Sequence, residues 1–437
     1  MNSRMDEMTD RLQQALEMAR EKGADGAKLS YAHAEKTESQ YEAGRLKTVS
    51  TSESASYSVE VLAGGRLGRT RGNRLDAMEE MIDRAIALAT VGPEAHFDAY
   101  PNWKQLPHVQ AYAESTANLT REELTDAAGR IVRAVQGYDP DLYTMASGQR
   151  QVSEHVLVTT GGVRHAGRRT EWSIGGFAQR TGENDMVMDY DARSWGDASE
   201  HLDPDAIGEQ IVGDFQQAET TAQSPRGKVS LILPPRILEM MLTPLELGIN
   251  GRNVLKGDSP LAGRLDEQVL SEALTLRDEP HIPHAPDSRE LDDNGIPTRG
   301  HTLLERGRLR MFLYDLDTAG QAGAEPTGNR YCEPYNLVLE PGEASHEQLI
   351  GDVTDGILVR HLIGFGQGNL INGDFSANVG LGFRVRNGEI TGRIKNTMIS
   401  GNLYDLLAGE VRLSSDTNYT GRMPWAVLEG ADASARA

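Results

Sequence analysis

The chain has 437 residues, 38% of them hydrophobic and 5% aromatic, with 65 acidic side chains against 44 basic ones and one cysteine, Cys332. At ~150 residues per domain this length predicts two or three domains, with a core large enough to fold without disulfides or a structural metal, and a lone thiol suits a reducing compartment. A formal charge of −21, with no Lys/Arg cluster carrying interleaved aromatics, excludes nucleic acid and anionic membrane surfaces as expected partners.

Residues 1–20 are polar, without an apolar signal core, and no run of ~18 apolar residues occurs, so a soluble, cytoplasmic protein is expected. Met5, Met8, Leu12, Leu16 and Ala19 fall at helical spacing before Gly23, which predicts an amphipathic helix over 5–22. Residues 27–31 and 56–62 read as strands, and Gly64-Gly65 reads as a hairpin turn into 66–71. Leu75, Met78, Ile82, Ala85 and Ile86 predict a second helix over 74–89, and 91–118 is a connecting loop. Thr120 with Glu123 is a capping box for a third helix to about 135.

From 142 to 195 short alternating strands follow, broken by turns at Gly161-Gly162 and at 181–184, so this stretch repeats the helix-then-strands order. Asp203-Pro204 opens a helix to about 219, and the polar stretch 220–227 is the predicted boundary. Beyond it, 228–233 reads as a buried strand, Pro234-Pro235 starts a helix to about 247, and 248–263 is glycine-rich. Strands are expected at 309–314, 336–339, 356–361, 380–385 and 389–395, with short helices at 345–350 and 402–407. The fold class is α+β: an N-terminal helix-and-antiparallel-sheet domain (1–223) and a β-rich C-terminal domain (228–437), with no continuous core joining strands on the two sides of Gly227.

Motifs for chemistry are sparse. His281 and His284 form the only close histidine pair, but Pro280 and Pro283 forbid the helix that a zinc-binding pair needs, so a polar loop is the reading. No nucleophile elbow is present, and Cys332 has no paired histidine in view. The glycine run from Gly364 to Gly368 lacks the Lys-Ser/Thr of a phosphate loop and leads to Asn372-Gly373-Asp374, which reads as a turn lining a cleft. Asp292-Asp293-Asn294-Gly295 offers oxygen ligands without the closing Glu of a calcium loop, and reads as a solvated hairpin turn.

The C-terminal half carries, in order, Gly248-Ile249-Asn250-Gly251 with Lys256-Gly257-Asp258-Ser259-Pro260, then Leu291-Asp292-Asp293-Asn294-Gly295, Thr327-Gly328-Asn329, Asn372-Gly373-Asp374-Phe375-Ser376 and Ser400-Gly401-Asn402-Leu403. Together these blocks resemble the TldD/PmbA family of metallopeptidases, in its PmbA (TldE) branch. The resemblance covers most of 228–420. It implies a zinc peptidase built as a heterodimer, whose metal-bearing TldD-type subunit carries H-E-x-x-x-H and a late cysteine. The motif's three positions fall here on Leu242, Thr243 and Leu247, and the late cysteine is missing.

The resemblance therefore implies a subunit with no cofactor of its own, inactive alone, with zinc in the partner. That partner would be a TldD-type chain, the substrate an unfolded protein or peptide, and the isolated chain a homodimer. Leu242 and Leu247 are expected on a buried apolar helix face beside Leu238 and Met241. The wall facing the substrate is expected at Gly364, Phe365, Gly366, Gly368, Asn372, Asp374, Phe375 and Ser376. Two alternatives stay open: a hydrolase or lyase using His281, His284, Asp292, Asp293 or Cys332, and a peptide-binding scaffold without a partner.

Overall fold

A computed structural model describes residues 3–103, 105–183 and 185–435; Asn184 of the expected 181–184 turn lies outside the described residues. In the first half α1 (Ser3–Glu21) precedes β1 (Gly26–Glu42), β2 (Arg45–Ala63), β3 (Arg66–Gly72) and α2 (Met78–Ala89). A short α3 (Glu114–Ala117) and α4 (Arg121–Tyr138) then precede β4 (Tyr143–Thr159), β5 (Arg164–Thr181), β6 (Met186–Trp195) and α5 (Pro204–Gln217). The order helix, three strands, helix thus occurs twice. Pairing of β1 with β4 joins the two sets into one antiparallel six-stranded sheet, in the order β3-β2-β1-β4-β5-β6.

Local chemistry sets the helix starts. Thr120 and Glu123 satisfy each other's backbone amides in a reciprocal capping box, and the Asp203 carboxylate accepts from the Ala206 amide while Pro204 occupies the first turn. Gly64 and Gly65, at φ 57° and 70°, make the tight β2–β3 turn that side-chain-bearing residues resist. The strands run far beyond their apolar stretches: β1 and β2 have 17 and 19 residues where five and seven were expected. On β1 residues 27, 29, 31, 37 and 39 are buried, and the alternate positions from 28 onward are only partly covered or exposed.

The second half contains β7 (Gly227–Leu233), α6 (Pro235–Met241), α7 (Thr243–Ile249), α8 (Gly251–Lys256), β8 (Leu276–Asp278), β9 (His301–Glu305), β10 (Arg308–Leu309) and α9 (Leu316–Ala322). It continues with β11 (Leu337–Leu339), α10 (His346–Gly351), β12 (Asp355–Ile363), β13 (Asp374–Arg386), β14 (Glu389–Arg393), β15 (Thr397–Asn402), α11 (Leu403–Ala408), β16 (Val411–Thr417) and β17 (Pro424–Ala435). β12, β7, β17, β15 and β13 pair in turn, and β13 pairs back to β12, which closes a five-stranded barrel. A small sheet, β10-β9-β8-β11, lies beside it. The strand expected at 309–314 is reduced to the two-residue β10, and Leu313 makes only an isolated bridge to Asn250. The helix expected from 234 to 247 is two short ones meeting at Leu242, where Pro244 cannot donate to the preceding turn.

The hydrogen-bonded sheets change over at the expected boundary, but the apolar core does not. Trp172, Ile174, Val187 and Trp195 of β5 and β6, with Ile131 and Phe215 of α4 and α5, share one core with Ile232, Leu358, Leu381, Phe383 and Val427 of the barrel. The expectation of separate cores is corrected: β6 lies against β13, and each surface would be too apolar to leave in water. Beside this contact sits a buried polar junction, where the Arg360 Nε donates to Asp214 at 2.9 Å and Arg236 stacks on Tyr190 at 3.9 Å. Burial and the Asp214 charge push the carboxyl of the neighbouring Asp189 well above its ordinary range.

Phe383 is fully buried in the shared core. Phe383→Ala should cost about 3–5 kcal/mol, and urea unfolding followed by circular dichroism and by tryptophan fluorescence should still give one coincident transition. Two separated transitions would show that the halves unfold independently.

Candidate functional site

A large cavity, about 1610 Å³, is bounded by the face of the six-stranded sheet that carries Lys28, Ser30, Ala32 and Ala34, by residues 108–112 and 289–294, and by Arg330 and Tyr331. Basic residues outnumber acidic ones along its walls, the reverse of the chain as a whole. Its floor is small and polar, with Ser54, Ser56, Ser58 and Ser153.

The β4–β5 ladder brings a histidine pair together. His155 lies opposite Gly167, so His165 is its diagonal neighbour, and the two Nε2 atoms are 3.1 Å apart. Gly167 is required here because a Cβ would lie 2.4 Å from the His155 ring. Burial first, then His165 and the charges of Arg169 and Arg289, lower His155 to about 3, so it is neutral across the physiological range. His165 is also lowered by burial, against an opposing pull from Glu290, whose carboxylate lies 3.5 Å from its Nε2.

Arg169 shares this face of β5 and holds the 285–288 segment, with Nη1 donating to Pro286 O at 2.6 Å and Nη2 donating to Ser288 O. Burial and the nearby Arg289 lower its guanidinium to about 9, which leaves it charged at neutral pH. Further along the same sheet, on β2, Glu60 binds Lys28 at 3.1 Å, Arg69, and the Tyr100 hydroxyl at 2.7 Å. Burial raises the Glu60 pKa, but Lys28, Arg69 and Tyr100 outweigh it and bring it to about 2.

The turn at 292–295 is not solvated as expected. Asp292 is 3% exposed, and its Oδ1 accepts from the amides of Asn294 and Ile296 at 2.8 Å each, while Oδ2 is buried without a partner. Burial dominates over these two amides and raises Asp292 to about 7. Gly295, at φ 81°, closes the turn. Asp293 pairs with Arg330 at 2.7 Å, and both line the cavity.

The other chemistry-bearing residues do not gather there. His281 bonds the Thr298 hydroxyl at 2.8 Å, and His284 is buried 3.9 Å from Asp197; neither lines the cavity. Cys332 is fully buried beside Thr318 and the Asp315 amide, and burial, then the Asp315 charge, pushes its thiol up, away from a reactive thiolate. Among the described residues, His346, Glu347 and Asp416 place three ligating atoms within 4.8 Å. That group is explained without a metal: the His346 amide and Nδ1 both bond Asp416, and its ring stacks on Trp425. No helix of the described residues is long and apolar enough to cross a membrane.

Residues 226–434 match the model of the PmbA/TldA metallopeptidase C-terminal domain, and residues 27–89 match PmbA/TldA metallopeptidase domain 1. The chain belongs to the PmbA/TldD metallopeptidase family. A metalloprotease of Methanothermobacter thermautotrophicus is 31% identical over 201 residues, so the match spans under half of either chain, 44% of each. Two crystal structures share the fold over nearly the full length. One is of a candidate DNA gyrase modulator from Bacteroides thetaiotaomicron, with TM-score 0.90 and 24% identity over 99% of both chains. The other is TldE from Thermococcus kodakarensis, with TM-score 0.87 and 22% identity over 97% of this chain and 100% of that one.

The residues onto which the resemblance maps the zinc motif, Leu242, Thr243 and Leu247, do not fit a metal. Leu242 is buried with Leu238 and Met241 in the barrel core, and Leu247 is only half-buried, since the helix breaks between them. The Thr243 hydroxyl donates to the Met240 carbonyl at 2.8 Å. Two hydrocarbons and a committed hydroxyl supply no ligand for zinc.

None of the expected wall residues of this PmbA/TldD-family chain lines the large cavity. Phe365 and Phe375 pack at 5.8 Å, rings tilted by 44°, inside the barrel core, a correction that for Phe375 follows from strand alternation: on β13 Phe375 points inward and Asp374 and Ser376 point out. Gly366, Gly368, Asn372, Asp374 and Ser376 are exposed, and Gly364, at φ 83°, makes the turn after β12. The residues missed, His155, His165, Arg169, Arg289 and Glu290, come from distant segments. Their one visible signal was the basic run Arg164-His165-Ala166-Gly167-Arg168-Arg169 in an acidic chain.

A carboxyl with a raised folded pKa stabilises fully below its ordinary value of 3.8, and that contribution is lost as pH rises through about 7. Between pH 5 and pH 8 Asp292 should therefore remove about 1–3 kcal/mol of stability. Asp292→Asn, which keeps the Oδ1 acceptor, should flatten that slope in urea titrations across this range, and an unchanged slope would assign the loss elsewhere.

Proposed function

We propose that this chain is the non-catalytic, TldE-type subunit of a zinc peptidase, which with a metal-bearing TldD-type partner encloses a chamber for unfolded proteins or peptide precursors. The observation that carries the reading is the substitution of all three zinc-motif positions by Leu242, Thr243 and Leu247 in a chain that keeps the family fold and a large polar cavity. In this reading the partner supplies the zinc and the activated water, while this chain shapes entry and holds the substrate.

The wall that meets the substrate is the cavity face of the six-stranded sheet. Its small polar side chains leave room for extended backbone and offer few apolar pockets, which suits substrates chosen for being unfolded and not for one sequence. The exposed residues Gly366, Gly368, Asn372, Asp374 and Ser376 form a second, smaller contact surface for the partner. Without that partner the chain pairs with a second copy through the C-terminal half, burying on the order of 2,000 Å² as obligate interfaces do. A hydrolase acting alone finds less support, because Cys332 is a buried thiol and His281 and His284 do not line the cavity that Asp292 and Asp293 line.

Purified alone, the chain should elute as a dimer, bind less than stoichiometric zinc and leave an unfolded casein-like substrate intact. Co-expressed with a TldD-type chain it should co-purify with one zinc per heterodimer and peptidase activity. Stoichiometric zinc and proteolysis by the chain alone, abolished by Asp292→Asn, would instead support the stand-alone enzyme.

A further inference from the structure

Arg169 and Arg289 both line the large cavity, one from β5 and one from the segment after β8. Their Nη1 atoms donate to the same oxygen, Pro286 O, at 2.6 and 3.2 Å, which holds the two guanidinium ends within about 6 Å of each other. Both also donate to Ser288 O. Every one of these acceptors is a neutral carbonyl. Among the described residues no carboxylate oxygen lies within 4.0 Å of either guanidinium, although most other arginines of the cavity, Arg69, Arg168, Arg252 and Arg330, have one.

The surroundings sharpen the imbalance. The neighbouring His155–His165 pair bonds to itself, and Glu290, the nearest acid in sequence, is used by the Val109 amide at 2.9 Å and by the ring nitrogens of His108 and His165. Asp287 and Glu171 act on Arg169 only from a distance, without an ion pair. Two charged guanidiniums held side by side repel each other, and the protein provides no anion in contact with them. The planar donors left over on Arg289, whose Nε and Nη2 make no bond to the protein, match the two oxygens of a carboxylate.

We propose that Arg169 and Arg289 form a carboxylate-binding subsite in the cavity, which captures an anionic group of a bound peptide: its C-terminal carboxylate or an Asp/Glu side chain. The inference rests on the peptide-chamber reading and adds to it a point of fixed polarity. The sheet face accepts any extended backbone, and the arginine pair sets where a chain end or an acidic residue stops. Arg289 contacts the ligand, and Arg169 also anchors the 285–288 carbonyls that position it.

The test uses the full chain and a neutral, fluorophore-tagged Ala/Ser hexapeptide in three forms: free C-terminal acid, C-terminal amide, and amide with one internal Glu. Fluorescence anisotropy should show the acid, the Glu peptide or both binding at least tenfold more tightly than the neutral amide, and the two anionic arms identify which source of carboxylate is preferred. Arg289→Gln, with folding checked by circular dichroism, should reduce this preference to within twofold, and Arg289→Lys should restore part of it. Because Arg169→Gln removes the anchor of a loop, Arg289→Gln is the deciding variant. Equal binding of all three peptides, or a preference that survives Arg289→Gln, would overturn the subsite while leaving the peptide chamber in place. Failure of every peptide to bind would overturn both.

Discussion

The apolar contact between β5, β6, α4 and α5 on one side and the barrel strands β7, β12, β13 and β17 on the other is the constraint on which the rest of the molecule depends. It fixes the six-stranded sheet against the barrel, so that the sheet's other face, with Lys28, Ser30 and Ala32, is held opposite the 289–294 turn. A cavity of this size between independently mobile domains would have no set shape. Here both walls are anchored to one core, and their separation follows from side-chain packing that tolerates little change in volume.

Next to that core the contact turns polar. Asp189, Asp214, Arg236 and Arg360 come from both halves, and Asp189 is buried among them with its ionisation disfavoured by burial and by Asp214. Such groups add little net stability, because desolvation offsets their attraction, but they penalise any other docking of the sheet that would strand a charge. The apolar part supplies the adhesion and the polar part selects the orientation.

The cavity's electrostatics run against those of the whole chain. A surface with net charge −21 keeps polyanions away at long range, yet along the cavity walls basic side chains, Arg168, Arg169 and Arg289 among them, outnumber acidic ones and act over short distances. Burial holds His155 neutral and lowers His165, so beside this pair the positive charge facing a ligand comes from arginines. Around Leu242 the barrel holds packed hydrocarbon, with Leu238 and Met241 beside it.

What the sequence determined by itself was whatever depends on near neighbours. The Thr120/Glu123 capping box, the Asp203-Pro204 helix start, the Gly64-Gly65 turn, the α+β class and the family blocks of 228–420 were all legible, because caps, turns and motifs involve residues a few positions apart. The polar ends of β1 and β2 were not, since Ser, Thr and Glu carry no hydrophobic alternation and those segments are strands only because a neighbouring strand pairs with them. Barrel closure, the core shared across residue 227, the inward turn of Phe365 and Phe375, the burial of Asp292 and the meeting of Arg169 with Arg289 were decided by tertiary structure alone. Each joins segments far apart in the chain, and no local pattern records which distant surface a side chain will face.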